Sequence, residues 1–104
     1  MPFVKVGTLS ALPPGQMLEV ILDDERYVVC NVSGSLHAIS GFCPHVGGPL
    51  GQGALHGEIV VCPWHAWEFD CRTGANPNHP SLSVATFAVK TEGDDILLDI
   101  PEET

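Results

Sequence analysis

The chain has 104 residues and a formal net charge of −9, with 44% hydrophobic and 16% charged residues. This length and composition are typical of one globular domain and exclude a disordered chain. The charge argues against binding to nucleic acid or to anionic membrane surfaces, because both would repel an acidic protein. The acidity either attracts a basic patch on a protein partner or only keeps the chain soluble.

The sequence also bears on the cellular location of the chain. No apolar run approaches the roughly 20 residues that a helix needs to cross a bilayer. The first five residues lack the basic and then apolar layout of a secretory signal, which favours a cytoplasmic location. In that compartment the four cysteines are better explained by metal ligation than by disulfides.

Alternation of apolar and polar residues predicts strands along most of the chain. In chain order, the predicted strands are residues 3–6, 17–22, 26–32, 36–39, 58–62, 67–70, 83–90 and 96–100. A single helical turn is predicted at residues 8–12, where the Pro-Pro-Gly sequence that follows ends it. On the third strand, Val28, Cys30 and Val32 are predicted to share one face.

The middle of the chain is less regular. Six glycines occur between Gly41 and Gly57, and a further irregular stretch is predicted at residues 73–80. Gly and Pro at this density prevent long strands. We therefore predict a single all-β domain over residues 1–104, in which residues 41–76 form a loop-built tip inserted in a β base.

Two of the predicted loops carry a matching pair of metal ligands. Cys43 and His45 belong to the first loop, Cys62 and His65 to the second, and the 16 residues 46–61 separate the pairs. One thiolate and one imidazole from each loop suit a binuclear cluster with unlike irons, where two sulfurs hold one iron and two nitrogens the other. A structural zinc ion is the alternative, although C-x-H is tight for ligands of one tetrahedral ion.

With these residues the sequence resembles the Rieske family, whose pattern is C-x-H, about 15 to 17 residues, then C-x-x-H. The resemblance continues through Phe69-Asp70 and Thr73-Gly74. It implies the Rieske fold, in which an antiparallel sandwich or barrel-like base carries a cluster-binding tip. It also implies one Rieske-type [2Fe–2S] cluster per chain, with Cys43, His45, Cys62 and His65 as the cofactor-binding and metal ligands.

The resemblance also has a consequence for the reduction potential. Respiratory-chain members of the family join the two loops by a disulfide and place a Ser and a Tyr hydroxyl near the cluster. Gly48 and Trp64 stand at the disulfide positions of this chain, and Trp67 and Phe69 at the hydroxyl positions. Because none of these side chains donates an O–H group to sulfur, the expected potential lies near the low end of the Rieske range, about −150 mV.

In function, the chain is most similar to the small ferredoxin components of bacterial aromatic-ring dioxygenase and monooxygenase systems. The resemblance implies a one-electron carrier between a flavin-dependent reductase and a terminal oxygenase, and not an enzyme. No second His/His/carboxylate set for oxygen chemistry is visible, so no catalytic residue is assigned. The alternatives are the small Rieske subunit of an assimilatory nitrite reductase and a zinc-binding interaction module.

The predicted tip is apolar, and Glu58 is the only Asp, Glu, Lys or Arg between Gly41 and Trp67. Such a surface either covers the cluster or contacts a partner. The candidates are Phe42, Val46, Pro49, Leu50, Pro63, Trp64 and Trp67. Trp64, beside a predicted ligand, is the best candidate for an exposed docking residue.

The remaining chemistry-bearing residues are given ordinary roles. Cys30 is expected to be a small buried hydrophobe, and a disulfide between Cys30 and Cys71 is a disfavoured alternative. Glu68 and Asp70 are expected to face solvent or pair with Arg72. Surface positions are predicted for His37, His56 and His79.

Overall fold

The computed structural model describes residues 3–22, 24–42, 49–64 and 67–100. Within these ranges the regular structure consists of strands and two 3-10 turns, Leu9–Ala11 and Leu50–Gln52, which confirms the predicted all-β class. The strands are β1 (Phe3–Thr8), β2 (Met17–Leu22), β3 (Glu25–Val32), β4 (Ser35–Ser40), β5 (Ala54–His56), β6 (Ile59–Val61), β7 (Glu68–Asp70), β8 (Ala75–Asn76), β9 (His79–Ser83), β10 (Thr86–Phe87), β11 (Val89–Glu92) and β12 (Asp95–Asp99). No helix in this part of the chain is long and apolar enough to span a bilayer.

The strands pair antiparallel in four groups. The first sheet has the order β1-β12-β11, and the second has the order β10-β4-β3-β2. A third, smaller sheet has the order β5-β6-β7, and β8 pairs with β9. The third sheet lies inside the segment predicted as the tip, residues 41–76, and the division into base and tip stays a prediction.

The strand β3 is covered on both of its faces. Val28 and Cys30 are 0% exposed and contact a core that includes residues of β6 and β7. Tyr27 and Val29 point the other way, into a second core shared with the first sheet. Val32 packs against the core of Val28 and Cys30, which confirms that the three share a face. The two cores therefore meet at β3.

The predicted strand at residues 83–90 is wrong as a single element. Its residues fall into β9, β10 and β11, which pair with β8, β4 and β12, respectively. The segment passes from one sheet to another, and the N–H of Val84 donates to the carbonyl of Gly74 on the way. Alternation of residue types reveals extension and burial but carries no information about the partner strand.

Two segments predicted as irregular contain regular structure. The glycine-rich middle holds β5 and the 3-10 turn Leu50–Gln52, and residues 73–80 contain β8 and the start of β9. The turn between β8 and β9 is organised by Asn76, which is 4% exposed. Its side-chain oxygen accepts the backbone N–H groups of Asn78 and His79 at 2.8 and 3.1 Å. An Asx turn of this kind lets very short strands pair without an apolar alternation.

Candidate metal centre

The second predicted ligand loop connects β6 to β7. The two strands pair Val61 with Glu68, and the N–H of Cys62 donates to the carbonyl of Trp67 at 2.7 Å. This bond extends the ladder by one step and closes a four-residue loop, residues 63–66, above it. Cys62 therefore stands on the last paired position of the hairpin, where its backbone is fixed. The other predicted ligand of this loop, His65, lies outside the described residues.

Cys62 is the predicted ligand that the structure describes. Its side chain is 1% exposed, forms no disulfide, and belongs to the same core as Val60 and Phe69. A free cysteine in apolar surroundings suits a thiolate bonded to iron, because the bond compensates a charge that would otherwise be costly to bury. The residue type and its burial at this position therefore fit the expected cluster.

The first predicted ligand loop is closed in a similar way. Phe42 forms an antiparallel bridge with Pro49, and the N–H of Leu50 donates to the carbonyl of Gly41 at 2.9 Å. Gly41 in turn donates its N–H to the carbonyl of Arg26 at 2.8 Å, which fixes the start of the loop to β3. The residues between these anchors are 43–48, and they include the predicted ligands Cys43 and His45, outside the described ranges.

The ends of the two loops contact each other at Gly53. This residue follows the 3-10 turn that leaves the first loop, and it packs on the end of β6 just before Cys62. A Cβ atom at position 53 would overlap the carbonyl oxygen of Val61 and lie 3.2 Å from the Cδ atom of Pro63. Only glycine allows so close an approach of the two backbones. The sequence showed a glycine-rich segment, but not which glycine joins the loops.

The predicted covering residues differ in their exposure, and one of them, Val46, lies outside the described residues. Leu50 is 0% exposed and lies in the same core as Cys62, so it is a structural residue and is not available to a partner. Trp64 is 57% exposed, which confirms its predicted exposure. Trp67 is half-buried and lines a small cleft together with Glu68, Asn76, Asn78 and His79. The cleft was not expected, because its lining comes from the unpredicted β8–β9 turn.

Charged groups lie at the opposite end of the β6–β7 hairpin. The register pairs Ile59 with Asp70, far along the ladder from Cys62. Arg72 places one guanidinium nitrogen 3.0 Å from Asp70 Oδ2 and 3.5 Å from Glu58 Oε1. The predicted pairing of Asp70 with Arg72 is thus confirmed. His56 and His79 are exposed as predicted, whereas His37 and Glu68 are only half-exposed.

Arg72 also makes the stability of this hairpin depend on pH. Its hydrogen bonds to the carboxylate hold the pKa of Asp70 below the usual value, while partial burial opposes the shift. A carboxyl pKa that is lower in the folded state stabilises the protein above the ordinary Asp pKa, and this contribution is lost as the pH falls through the folded value. Arg72→Gln is therefore expected to reduce the free energy of unfolding slightly at pH 7, with the difference disappearing in acid.

Urea unfolding of both proteins between pH 3 and 7 measures this difference. Lys90→Gln is a control, because Lys90 and Glu92 form an ion pair at 3.4 Å on β11 in which the carboxylate is more exposed than that of Asp70. The effect of Arg72→Gln is small because exposed pairs contribute little. A difference between wild type and Arg72→Gln that stays constant down to pH 3 would contradict the role assigned to Asp70.

The chain is similar to known proteins in both sequence and fold. The sequence model of the Rieske [2Fe-2S] domain family matches residues 2–88. The biphenyl 2,3-dioxygenase ferredoxin component of Rhodococcus jostii (strain RHA1) is 37% identical over 101 residues, covering 96% of this chain and 94% of that protein. The ferredoxin of carbazole 1,9a-dioxygenase from Nocardioides aromaticivorans IC177 is 34% identical, with a TM-score of 0.83 over 94% of this chain and 97% of that chain. The predicted Rieske fold is thereby confirmed.

A further solved structure is a complex of reduced oxygenase and oxidised ferredoxin in carbazole 1,9a-dioxygenase. One of its chains is 24% identical and superposes with a TM-score of 0.84, covering 92% of this chain and 91% of that chain. At this identity the likeness concerns the fold alone. The fold of this chain thus occurs in a solved complex of an oxygenase with a ferredoxin.

Proposed function

Because the chain belongs to the Rieske [2Fe–2S] family, we propose that it is a ferredoxin, which carries single electrons from a flavin-dependent reductase to a terminal oxygenase. The observation that carries the proposal is the match with ferredoxin components of aromatic-ring dioxygenases, which spans nearly the whole of both proteins. The chain itself then catalyses no reaction. Its chemistry consists of holding the cluster and presenting it to two partners in turn.

The proposed ligands are Cys43, His45, Cys62 and His65. When bound, the cluster supplies one-electron redox chemistry. The protein's part is to fix the ligands: Cys62 lies on a paired position at the end of β6, and the anchors Phe42 and Pro49 bring the ends of the first loop together. The apolar core beneath Cys62 keeps water from that side of the site.

The test is to purify the protein without oxygen and measure its iron, its acid-labile sulfide, and its visible and low-temperature EPR spectra. We expect two irons and two sulfides per chain and the spectrum of a cluster with mixed nitrogen and sulfur ligands. Reduction by a flavin reductase with NADH, followed by reoxidation on adding a terminal oxygenase, completes the test. A colourless protein with stoichiometric zinc would replace the proposal with a zinc module, and co-purification with a large haem subunit would favour a nitrite reductase subunit.

Trp64 is the proposed contact with the oxygenase. It is the most exposed large hydrophobic side chain of the described residues, and it directly precedes the predicted ligand His65. Exposed aromatic residues at the centre of an interface carry much of its binding energy. Trp64→Ala is expected to lower the second-order rate of electron transfer to the oxygenase by about tenfold, leaving the visible spectrum unchanged.

The matched control for this variant is Phe3→Ala, which removes an aromatic side chain that is 37% exposed on β1 of the first sheet. We expect electron transfer from this variant at the wild-type rate. Equal losses in the two variants would show that Trp64 is not a docking residue. The proposal of a carrier would survive that result, since it rests on the cluster and its two partners.

The reduction potential of the proposed cluster can be predicted separately. Phe69 is fully buried in the core, and it offers no hydroxyl to a cluster sulfur. Without such donors and with a surface of net charge −9, the reduced cluster is stabilised less, so we expect a potential near the low end of the Rieske range, about −150 mV. Redox titration followed by visible absorption measures it, and a value above roughly +100 mV would contradict the assignment.

The cytoplasm is the proposed location. Three buried cysteines of the described residues, Cys30, Cys62 and Cys71, are free thiols, as is usual in a reducing compartment. Fractionation of the native cells with an antibody against the chain tests this point.

A further inference from the structure

Two buried cysteines outside the proposed ligand set lie side by side. Cys30 lies in β3 and Cys71 directly follows β7, and the two residues are 0% and 1% exposed. They belong to one core, and each thiol is the strongest influence on the pKa of the other, so the two side chains are in contact. Both are free thiols in this structure. The contact joins positions that are 41 residues apart in the sequence.

A surface cleft borders this pair at Cys71. β10 pairs Phe87 with Ala38 of β4, but the chain then turns away, and Val89 pairs with Leu98 of β12 instead. The opening left by this departure has a volume of about 370 Å³ and is lined by Cys71, Arg72 and His37, among others. His37 is directly opposite Cys30 across the β3–β4 ladder, so their side chains share a face. Cys71 thus borders the cleft, with Cys30 next to it.

The surroundings make the two sulfurs unequal. The contact with Cys30 and the nearby Arg72 guanidinium lower the pKa of Cys71, whereas burial and the Asp70 carboxylate oppose the shift. The same contact, together with deeper burial, raises the pKa of Cys30. The sulfur that borders the cleft is therefore also the better nucleophile of the pair.

We propose that Cys30 and Cys71 are a reversible dithiol site, which a small disulfide entering the cleft oxidises to an intramolecular disulfide. The thiolate of Cys71 attacks one sulfur of the reagent, breaking its S–S bond and releasing one thiolate. The sulfur of Cys30 then attacks Cys71, a second thiolate leaves, and the protons of both cysteines pass to the released thiolates. Two protein thiols are oxidised, and one disulfide is reduced to two thiols.

The bond would connect the two parts of the molecule that form the apolar core. Cys30 belongs to the four-stranded sheet, whereas Cys71 ends the three-stranded sheet that carries Cys62. A bond between them restricts the unfolded chain over a long loop, which raises the midpoint of urea unfolding. It leaves the proposed cluster ligands untouched, so the visible spectrum of the holoprotein is expected to persist.

The experiment treats the wild-type holoprotein with oxidised glutathione in the absence of oxygen, while its visible spectrum is recorded. The sample is quenched in acid, unfolded and labelled with N-ethylmaleimide. Of the four cysteines in the sequence, we expect two to be labelled and the other two to be joined as Cys30–Cys71 in the peptide map. Dithiothreitol before the quench is expected to restore labelling of all four.

Two variants separate the attack of Cys71 on glutathione disulfide from the attack of Cys30 on Cys71. Cys30→Ser is expected to stop at a glutathione adduct on Cys71, and Cys71→Ser is expected to take up no glutathione. The proposal is overturned if the wild type keeps four labelled cysteines, if the adduct on Cys71 accumulates without resolution, or if the linked pair includes Cys43 or Cys62. The wild-type peptide map decides the matter even if both variants fail to fold.

Discussion

Cys62→Ser is expected to yield a protein that contains no iron–sulfur cluster, whereas Cys71→Ser is expected to keep it. The comparison is matched, because both cysteines are 1% exposed, are free thiols and lie in the same core. Both variants place a hydroxyl in apolar surroundings, so the cost of burying a polar group is similar. The two cysteines differ in their proposed roles, because Cys62 is a proposed cluster ligand and Cys71 is not. Loss of a thiolate ligand removes the iron bonded to it.

Iron and acid-labile sulfide per chain, together with visible absorption, measure the outcome. His65→Ala and His45→Ala are expected to prevent normal cluster assembly as well, and His56→Ala and His79→Ala to leave it intact. His56 and His79 are exposed on the β5 and β9 strands. If Cys71→Ser lost its iron and Cys62→Ser kept it, the proposed ligand set would be wrong.

Phe69→Ala is expected to lower the free energy of unfolding by about 3–5 kcal/mol. Phe69 is 0% exposed and lies opposite Val60 in the ladder of β6 and β7. The same core contains Val28 and Ile39 of the four-stranded sheet, so the ring joins the small sheet to the rest of the domain. A domain of this kind has a total stability of about 5–15 kcal/mol, so the loss is a large part of it.

The control for this prediction is again Phe3→Ala. Phe3 is 37% exposed, and the Lys90 ammonium lies 4.5 Å from the centre of its ring in a cation–π contact. Its removal is expected to cost about 1 kcal/mol or less. Urea unfolding of the holoproteins, followed by circular dichroism, compares the variants. Equal destabilisation by the two substitutions would mean that Phe69 does not connect the sheets.

Much of the fold was predictable from the sequence because burial imposes a period of two on a strand. The strands at residues 17–22, 26–32 and 36–39 are confirmed nearly to the residue, and they form consecutive antiparallel pairs. Such hairpins depend on neighbouring residues and short turns. Val28, Cys30 and Val32 were assigned to one face correctly, but the burial of the opposite face of β3 was not expected.

The errors share a physical cause. Residues 83–92 change partners from β8 to β4 and then to β12, and β4 is distant from them in the sequence. β5 and β8 are three and two residues long, which is too short to show an alternation of apolar and polar residues. Their positions depend on Gly53 packing against β6 and on the side chain of Asn76. Such contacts arise only after the chain has folded.

The candidate site was predictable in part. The ligand pairs, inferred from residue type and spacing, stay a prediction, whereas the exposure of Trp64, inferred from its place beside a predicted ligand, is confirmed. The contact between Cys30 and Cys71 was considered only as a disfavoured disulfide, because their pairing depends on how β7 packs on β3. The cleft beside them could not be inferred, since it exists where β10 separates from β4.

The position of β3 between two cores has a consequence for how the domain gains its stability. Neither core is complete without it, since Val28 and Cys30 complete one while Tyr27 and Val29 complete the other. A slip of this strand by a single residue would exchange the contents of the two cores. The halves of the molecule therefore cannot assemble independently, and the chain gains or loses its structure in one cooperative transition.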